Sequence, residues 1–475
     1  MQIAVIGAGP AGMTAAYELA KAGAGVHVFE ASDTVGGLAR SFRLWNQTVD
    51  LGPHRFFSSD RRVNGLWLEV AGKDYRMVRR QTRIYYRNRF FHYPLKPFNA
   101  LTQLGPIEAT RCLASYGLQQ LSSKTDNGTF ESWVVSRFGR RLFEIFFKTY
   151  SEKLWGISCT ELDSDFAAQR IKKLNLYEAV VNAFKGGRDN KHKTLVDEFA
   201  YPIEGTGMVY RRMAEYVRAH RGEVLLKSPV QRVLARGGRV CGVELADGAV
   251  REYDQVVSSM PISLLVTRLP EVPEDVKQRA LSLKFRNTIL VYLRVEASGL
   301  FPDQWLYIHS DDLNVGRITN FRNWVPQLYG EEKSTILAME YWANDEDAMW
   351  AEDDESLINM AKKEIRQTGL IGNAPVADGH VVKIKRCYPV YQRGYKDNLK
   401  PVEEYLSSVE GLQAIGRYGA FKYNNQDHSI LMGILAAKNI VEGASHNLWE
   451  INTDYDSYQE EARITEAGLV ETAKA

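Results

Sequence analysis

"IAVIGAGPAGMTAAYELAKAGAGVHVFEA" (residues 3–31) contains an apolar strand, a glycine-rich turn, an alanine-rich helix and a second strand in succession. Gly7, Gly9 and Gly12 in the turn follow the G-x-G-x-x-G pattern. Glu30 closes the second strand at about the 20-residue spacing expected of a carboxylate that binds a ribose. Because all four features agree, the stretch predicts a dinucleotide-binding βαβ unit rather than a chance glycine-rich turn.

Each glycine of this turn has a separate physical task. Gly7 permits the tight turn, Gly9 lets the backbone approach a pyrophosphate, and Gly12 lets the helix pack closely on the strand. The helix that follows presents free N–H groups and the positive end of its dipole to the phosphates. The predicted cofactor contacts in this stretch are Gly7, Gly9, Pro10, Ala11, Gly12, Glu30 and Ala31.

Composition limits the class of protein. The 475 residues exceed a single compact core, so two or three domains are expected. A net charge of +2 argues against a dedicated nucleic-acid binder. The four cysteines form no CxxC pair, so neither a zinc site nor a disulfide framework is predicted. With no long apolar run and no basic signal-peptide region, we expect a cytoplasmic protein without a membrane span; its oligomeric state stays open, a homo-oligomer included.

The next stretch, "EASDTVGGLARS" (residues 30–41), distinguishes FAD from NAD as the dinucleotide. Gly36, Gly37, Leu38 and Arg40 resemble the extended fingerprint of FAD enzymes of the glutathione-reductase and amine-oxidase type. In that group the glycine pair lies along the pyrophosphate and ribityl chain of the cofactor. A plain Gly-Gly loop is the alternative, and the fingerprint that precedes it makes this alternative the weaker one.

Further along the chain the resemblance becomes specific. The sequence resembles UDP-galactopyranose mutases, flavoenzymes that interconvert the pyranose and furanose forms of UDP-galactose. The resemblance spans nearly the whole chain, is nearer to the fungal and protozoan members, and extends more broadly to protoporphyrinogen oxidases and amine oxidases. Besides the N-terminal fingerprint it is strongest in "GPHRFF" (52–57), "YSEKLWGISCTELDSDFAAQRI" (150–171), "VGRITNF" (315–321) and "GRYGAFKYNNQDHS" (416–429).

The resemblance implies an α/β fold with a discontinuous Rossmann-type FAD-binding domain of the glutathione-reductase type. We assign residues 1–90, 203–262 and 408–475 to it. A mainly helical cap domain is expected over 91–202, and an antiparallel β-sheet substrate domain over 263–407. The amphipathic run "FESWVVSRFGRRLFEIFFKTYSEKLWG" is the strongest helical signal of the cap.

The resemblance also implies which residues bind substrate and cofactor. Arg170 and Arg317 match two diphosphate-binding arginines, a role that suits the guanidinium fork, although a solvated surface arginine is the usual alternative. With His54 of the loop that faces the flavin, they form the predicted catalytic set. The predicted substrate contacts are Tyr93, Tyr150, Ser151, Trp155, Asn320, Trp324, Tyr395 and Tyr423. The further predicted cofactor contacts are Gly52, His54, Arg83, Val230, Gly416, Arg417, Tyr423, Asn425, Gln426, Asp427 and Ser429.

The implied function is an NDP-sugar mutase that works through an adduct between the N5 atom of reduced flavin and the sugar, with NADPH as a candidate reductant. Leu95, Lys96, Ser151 and Trp324 depart from the family pattern, so an NDP-sugar other than UDP-galactose stays open. A redox flavoenzyme of the oxidase or desaturase type is the main alternative, but it has little need for two diphosphate arginines. A cofactor-binding scaffold without turnover is a third reading.

Overall fold

A computed structural model describes residues 1–95, 97–121, 127–165, 198–451 and 462–471. The strands, in chain order, are β1 Gln2–Ile6, β2 Gly25–Phe29, β3 Ser41–Leu44, β4 Gln47–Asp50, β5 Tyr75–Arg79, β6 Thr82–Tyr86, β7 Arg89–His92, β8 Glu198–Pro202, β9 Glu223–Leu225, β10 Val230–Arg236, β11 Arg239–Leu245, β12 Val250–Glu252, β13 Gln255–Ser258, β14 Phe285–Val295, β15 Trp305–Ile308, β16 Arg317–Asn320, β17 Thr335–Ala343, β18 Val376–Pro389, β19 Leu412–Ala414, β20 Ala462–Thr465 and β21 Gly468–Glu471. The α-helices are α1 Pro10–Lys21, α2 Arg61–Ala71, α3 Pro97–Leu104, α4 Pro106–Leu121, α5 Phe130–Phe138, α6 Arg140–Phe143, α7 Thr149–Trp155, α8 Gly207–Ala219, α9 Ile262–Arg268, α10 Glu274–Ser282, α11 Ala348–Ala351, α12 Asp354–Gln367, α13 Tyr395–Ser408, α14 Gly416–Gly419 and α15 Gln426–Val441.

Five parallel strands form the first sheet, in the order β19-β13-β1-β2-β9. All residues of β1 except Gln2 are buried, which is the pattern of a parallel strand covered on both faces. The helices α1 and α15 pack closely, because a Cβ at Gly433 would lie only 2.6 Å from the Ala11 carbonyl oxygen. The carboxyl ends of β1 and β2 lead into the glycine turn and to Glu30, so the predicted dinucleotide site lies at this edge.

Seven strands form the second sheet, in the order β18-β14-β17-β16-β15-β6-β7. Most neighbours are antiparallel, but β15 and β6 run parallel, so the sheet is mixed rather than purely antiparallel. The hairpin of β6 and β7 belongs to this sheet although it overlaps the cofactor segment assigned to residues 1–90. The molecule is therefore a mixed α/β fold with several sheets, as the sequence predicts at that coarser level.

The two faces of the seven-stranded sheet have different environments. One face packs under α12, whose Leu357, Ala361 and Ile365 join an apolar cluster with residues of β14 to β17. The other face carries the polar side chains of Arg317 and Glu340, which pair directly across β16 and β17. Because side chains alternate along a strand, the register decides which residues can reach a site on this second face.

The helical region follows β7 in the chain and runs from α3 to α7. Gly139, with φ of +79°, separates α5 from α6, and one π-helical turn over Glu144–Lys148 leads into α7. The strong helical prediction for this segment is confirmed in those bounds. Residues 166–197 of the predicted cap lie outside the described part of the chain. Within the described ranges, no helix is long and apolar enough to cross a membrane.

Candidate functional site

The glycine turn after β1 brings backbone segments very close together. Gly7 has φ of +95°, and a Cβ on Gly12 would lie 1.9 Å from the Gly7 carbonyl oxygen, so neither position accepts a side chain. A Cβ on Gly9, in contrast, would approach only the Gly37 Cα, at 3.8 Å. Gly9 therefore has space beside it at the place where the sequence predicts a pyrophosphate.

The second glycine pair folds over this turn. Gly36 and Gly37 have φ of +105° and +53°, and the Gly36 N–H donates to the Ala8 carbonyl at 2.7 Å. Glu30 accepts from the backbone N–H groups of Ala8 at 2.7 Å and of Ser32 at 2.8 Å. Each carboxylate oxygen still has a lone pair. Glu30 can therefore brace the turn and accept from a ribose hydroxyl at the same time.

Two basic residues lie near the turn. Arg40 is partly buried and directly follows the glycine pair, and its side chain forms no hydrogen bond or ion pair with any residue described here. Gly416, with φ of +79°, packs against the start of α1, because a Cβ there would lie 2.9 Å from the Ala11 Cβ. Arg417 follows it. The C-terminal cluster thus meets the N-terminal turn, and both arginines are suited to neutralise phosphate charge.

A buried charge pair lies beside the loop that follows β4. A Cβ on Gly52 would lie 3.6 Å from Glu340 Oε2, 3.9 Å from Arg317 Nη2 and 3.9 Å from His54 Cε1. Arg317 Nη2 is 2.5 Å from Glu340 Oε2, and the two side chains are 17% and 4% exposed. The loop, the arginine and the carboxylate therefore form one site.

Glu340 is the hub of this polar cluster. Its Oε1 accepts from Tyr388 OH and from Trp342 Nε1, both at 3.0 Å. Arg317 Nη2 also donates to Tyr388 OH at 3.3 Å. Burial lowers the pKa of Arg317, but the Glu340 carboxylate outweighs it, and the pKa ends well above its ordinary value. Arg317 is therefore held as a cation with one side open to a ligand.

His54 is electrically neutral in this environment. Burial, with the charges of Arg317 and then Arg417, lowers the pKa of His54 to about 3. Its Nδ1 is buried without a hydrogen-bond partner among the described residues. A neutral imidazole with an unused nitrogen can orient a neighbouring group through a hydrogen bond, but it does not act as a cationic phosphate ligand.

Arg417 lies between two aromatic rings. Its guanidinium carbon is 4.3 Å from the ring centre of Tyr423 and 4.7 Å from that of Tyr388. Its Nε and Nη1 donate to the carbonyls of Cys387 at 2.9 Å and Asn424 at 2.8 Å. These contacts fix the cation between the glycine turn and the Glu340 cluster, so the two predicted ligand regions are continuous.

Aromatic side chains of α7 and β15 form a wall beside the charge pair. Tyr150 stands perpendicular to Tyr307 and to Trp342, with ring centres 5.6 Å apart in both cases. Tyr93, which is 40% exposed, packs against Tyr307 with the rings tilted and their centres 4.6 Å apart. Ser151 is buried next to Tyr150 in the helix. Because Tyr93 is exposed and Tyr307 lies behind it, the wall runs from the surface towards Arg317.

A second group of rings continues this wall on the side of Tyr423. Trp155, only 1% exposed, lies 5.5 Å from the Tyr423 ring. The Tyr423 N–H donates to Tyr391 OH at 2.9 Å, and Tyr395 stacks on Tyr391 with ring centres 4.6 Å apart. Tyr395 therefore lies one ring away from Tyr423, behind Tyr391 rather than directly against it.

Gln426 anchors the His54 loop through its side chain. Its Nε2 donates to the carbonyls of His54 at 3.4 Å and Arg55 at 3.3 Å, and its Oε1 accepts from Tyr210 OH at 2.7 Å. The Gln426 side chain is thus occupied by protein partners, and only its backbone remains for the predicted cofactor contact. Asp50, at the start of the same loop, is fully buried, and burial raises the pKa of its carboxyl to about 7.

Arg83 and Asn320, a predicted cofactor contact and a predicted substrate contact, are not part of this cluster. In the strand register both lie on the opposite face of the seven-stranded sheet from Arg317. Arg83 forms a two-pronged pair with Asp303, at 3.0 and 2.7 Å, and Asp303 is fully buried. Asn320 caps a 3₁₀ turn through Arg322 N. The structure therefore does not bring either side chain to Arg317, because matching a sequence motif does not determine which face of the sheet a residue occupies.

Trp324, a predicted substrate contact, also lies away from the Arg317 cluster. It packs among aromatic core residues, 4.7 Å from the ring of Tyr201 and 5.8 Å from that of Trp305. Of the remaining predicted contacts, Val230 is buried at the start of β10, Ser429 N donates to the Asn425 carbonyl at 3.2 Å, and Asp427 lies 2.9 Å from His428 Nδ1. Arg170, Lys96 and the rest of 166–197 lie outside the described residues.

The sequence interpretation missed Glu340, Tyr388 and Tyr307. Glu340 had a usable signal, because an acidic residue within the continuously buried strand "TILAMEYWA" is costly unless it is paired. Nothing comparable marks the two tyrosines, since buried tyrosines are more often core residues than ligands. Their relation to Arg317 depends on the sheet register alone.

Comparison with known proteins places the chain in a family. Residues 10–396 match the flavin containing amine oxidoreductases. The match covers most of the chain, and the chain belongs to this family. It is accordingly a flavin-dependent enzyme of the amine oxidase superfamily.

Individual relatives are more distant. The L-amino-acid oxidase of Crotalus adamanteus is 45% identical over 62 residues, which cover 13% of this chain and 12% of that protein. The match therefore spans about an eighth of the length of that relative. A probable UDP-galactopyranose mutase of Klebsiella pneumoniae is 26% identical over 183 residues, 36% of this chain and 46% of that protein. A crystal structure of reduced UDP-galactopyranose mutase superposes with a TM-score of 0.83 at 23% identity, over 94% of this chain and 96% of that one, which shows a shared fold.

The residues at the dinucleotide edge fit FAD. Gly9 and Gly37 leave a cradle that side chains would fill, since a Cβ on Gly37 would lie 3.0 Å from the Gly9 Cα. The first N–H groups of α1 have no partner within the helix, and among the described residues no side chain caps them. By their chemistry, Glu30 can accept from a ribose hydroxyl and Arg40 can neutralise a phosphate. The chemistry of this donor set is that of a dinucleotide diphosphate.

Proposed function

We propose that this protein is a flavin-dependent nucleotide-sugar mutase that interconverts the pyranose and furanose forms of an NDP-sugar, with UDP-galactose as the first candidate. We further propose a Rossmann domain of the glutathione-reductase type, the domain limits given above, kinship with the fungal and protozoan enzymes, and a cytoplasmic location. The likeness in fold to UDP-galactopyranose mutase supports the proposal.

One observation carries it. Arg317 is a permanently charged residue with 17% of its side chain exposed, and it borders the His54 loop next to the predicted flavin edge. An enzyme that oxidises an amine or a hydrocarbon gains little from a buried guanidinium at this place. A leaving diphosphate, in contrast, is stabilised by charge-assisted hydrogen bonds from it.

The residues have distinct roles in this proposal. Arg317 and Arg417 hold the diphosphate, so that after departure it stays at high effective concentration for its return. Tyr388 orients Arg317 through the shared Glu340 carboxylate. Tyr150 and the rings beside it exclude water from the sugar. When bound and reduced, FAD supplies the nucleophile for the anomeric carbon. Arg170 is proposed as a further diphosphate ligand.

The decisive experiment uses one preparation of holoenzyme in two redox states. One half is reduced anaerobically with dithionite, the other is kept oxidised, and each receives UDP-galactofuranose. We expect UDP-galactopyranose to appear by chromatography in the reduced sample only. Because the reaction has no net redox change, each reduced flavin should support many turnovers without further reductant, and NADPH can then be tested as a replacement for dithionite.

The family assignment favours one competing function, a substrate-oxidising flavoenzyme. It predicts oxygen consumption with an amine or amino acid and no isomerisation of any UDP-sugar in either redox state. That pair of results would replace the mutase proposal. UDP-glucose serves as the matched control substrate, since it has the same diphosphate but a different sugar configuration.

A further inference from the structure

The helix α7 carries Tyr150, Ser151 and Trp155, three residues of the proposed sugar wall, yet it belongs to the helical region and not to the sheet it covers. Two cationic side chains attach it, the partly buried Lys153 and the buried Arg286. Lys153 Nζ reaches across to the carbonyl of Ser310, in the segment that follows β15, at 2.6 Å. This bond ties the middle of the helix to the strand that carries Tyr307.

Arg286 of β14 holds the end of the same helix. It is 5% exposed, and its Nη2 donates to the Lys153 carbonyl at 3.4 Å and to the Trp342 carbonyl at 3.0 Å. Asp347 neutralises its Nη1 at 2.9 Å. The fit is tight, since a Cβ on Gly156, just after the helix, would lie 2.5 Å from the Arg286 guanidinium carbon.

Long cationic side chains are rarely buried, because desolvation is costly. Here Lys153 and Arg286 both donate to backbone carbonyls, which belong to the helix α7 and to the sheet and loop that it covers. We propose that Lys153 and Arg286 are positioning residues that clamp α7 onto the seven-stranded sheet and thereby hold Tyr150 and Trp155 against the Arg317 site. The kinetic consequence rests on the proposed function, whereas the clamp itself does not.

The clamp has a pH dependence whose sign follows from its charges. Burial lowers the pKa of Lys153 to about 8, against the opposing attraction of Glu364 on α12 and of Asp312 and Asp311 in the loop after β15. His309, stacked on Tyr150, is neutral, because burial and then Lys153 lower its pKa to about 3. A solvated lysine in the opened state binds its proton more tightly, so closure becomes more favourable as pH rises above 8.

Hydrogen exchange of residues 149–156 in the holoenzyme tests the clamp without any substrate. After correction for the intrinsic exchange rate, protection of this segment in the wild type should rise by about tenfold between pH 7.5 and 9.5. K153M should show lower protection at pH 9.5 and no rise. K148M is the matched control, because Lys148 is a half-exposed lysine one turn earlier, and it should behave as the wild type.

K153R keeps a cation that does not titrate in this range, so protection of residues 149–156 should be retained at pH 7.5 and should not rise with pH. If K153M does not fold, the comparison of K153R with the wild type tests the clamp. Equal pH slopes in the wild type, K153M and K153R would overturn the clamp. In the reduced enzyme, K153M should lower kcat/KM for the UDP-sugar by about tenfold or more with the flavin spectrum unchanged. If hydrogen exchange shows the expected pH dependence but the enzyme does not turn over any UDP-sugar, the clamp stands and the proposed function is contradicted.

Discussion

Arg83 and Arg317 stand on the two strands that flank β15, and each is paired with a buried carboxylate, yet they differ in almost every other respect. Arg83 meets Asp303 with a two-pronged fork on the α12 side of the sheet. Arg317 meets Glu340 on the other side, where Tyr388 and the His54 loop share the contact. The Arg317–Glu340 pair lies beside the wall of aromatic rings, whereas the Arg83–Asp303 pair lies on the other face of the sheet.

The difference shows how a structural ion pair is distinguished from a functional one. Both arginines donate to their carboxylates through Nε and Nη2, so the hydrogen bonds within each pair do not separate them. Their surroundings do: the carboxylate of the Arg317 pair is shared with Tyr388 and borders the Gly52 turn, whereas Arg83 lies against the Phe90 ring. The family resemblance predicts that Arg83 lies near the flavin and that Arg317 binds the diphosphate, and the strand register puts them on opposite faces of the sheet.

The largest effect is expected for the stability of the Arg83 variant. Arg83→Met leaves the fully buried Asp303 without its cation, so unfolding free energy should fall by about 3–5 kcal/mol. Urea unfolding of the holoenzyme measures this, with the double variant Arg83→Met/Asp303→Leu as control, which should recover much of the loss. If the single variant is as stable as the wild type, the structural assignment of this pair fails.

Arg317→Met should lower turnover in addition to stability, because it also leaves the buried Glu340 carboxylate without its cation. Removing a donor aimed at developing charge costs about 10²- to 10³-fold in kcat. Flavin should still bind stoichiometrically, since Arg317 does not touch the glycine turn that is predicted to hold the pyrophosphate. Steady-state assays of the dithionite-reduced enzyme measure the loss. Wild-type kcat in this variant would make Arg317 a structural residue like Arg83.

Glu340→Gln should give a smaller loss, because the amide keeps the shape and still accepts one hydrogen bond from Tyr388 or Trp342. The Arg317 guanidinium then lacks its counter-ion, and we expect about 1–3 kcal/mol less stability together with weakened substrate orientation. Added UDP should restore part of the stability in a thermal melt, because the diphosphate replaces the lost negative charge. A melt that UDP leaves unchanged contradicts this account.

The last effect concerns Asp50 and depends on pH. Burial raises the folded-state pKa of Asp50 to about 7, above the value of an unfolded chain. A raised carboxyl pKa gives stability that is present below the unfolded pKa and is lost as pH rises through the folded pKa. The stability of the wild type relative to Asp50→Asn should therefore decline between pH 5 and 8. A flat difference over that range would show that Asp50 does not titrate there.

Local sequence motifs were sufficient to predict the glycine turn at the carboxyl ends of β1 and β2. Gly7, Gly9 and Gly12 act within a few residues of one another, and Glu30 lies one strand away, so spacing alone predicts their geometry. The mixed α/β architecture followed from the same pattern. Gln426 was placed in the right region, but its side chain serves the His54 loop.

The charge cluster could be predicted only in part. His54, Arg317, Tyr150 and Tyr423 were identified from a family resemblance, and the structure brings them together. Glu340 was missed because its role depends on its pairing with Arg317, the residue that lies opposite it in β16. Register of this kind is set by long-range pairing, which no local spacing encodes.

The most direct test of the central claim is UDP binding to the oxidised holoenzyme by calorimetry, comparing the wild type with Arg317→Met and with Arg83→Lys as the charge-preserving control. We predict that Arg317→Met weakens the dissociation constant by about 10- to 100-fold, whereas Arg83→Lys leaves it within about threefold. Equal weakening in both variants, or undiminished binding in Arg317→Met, would contradict the claim that the Arg317–Glu340 cluster is the diphosphate site.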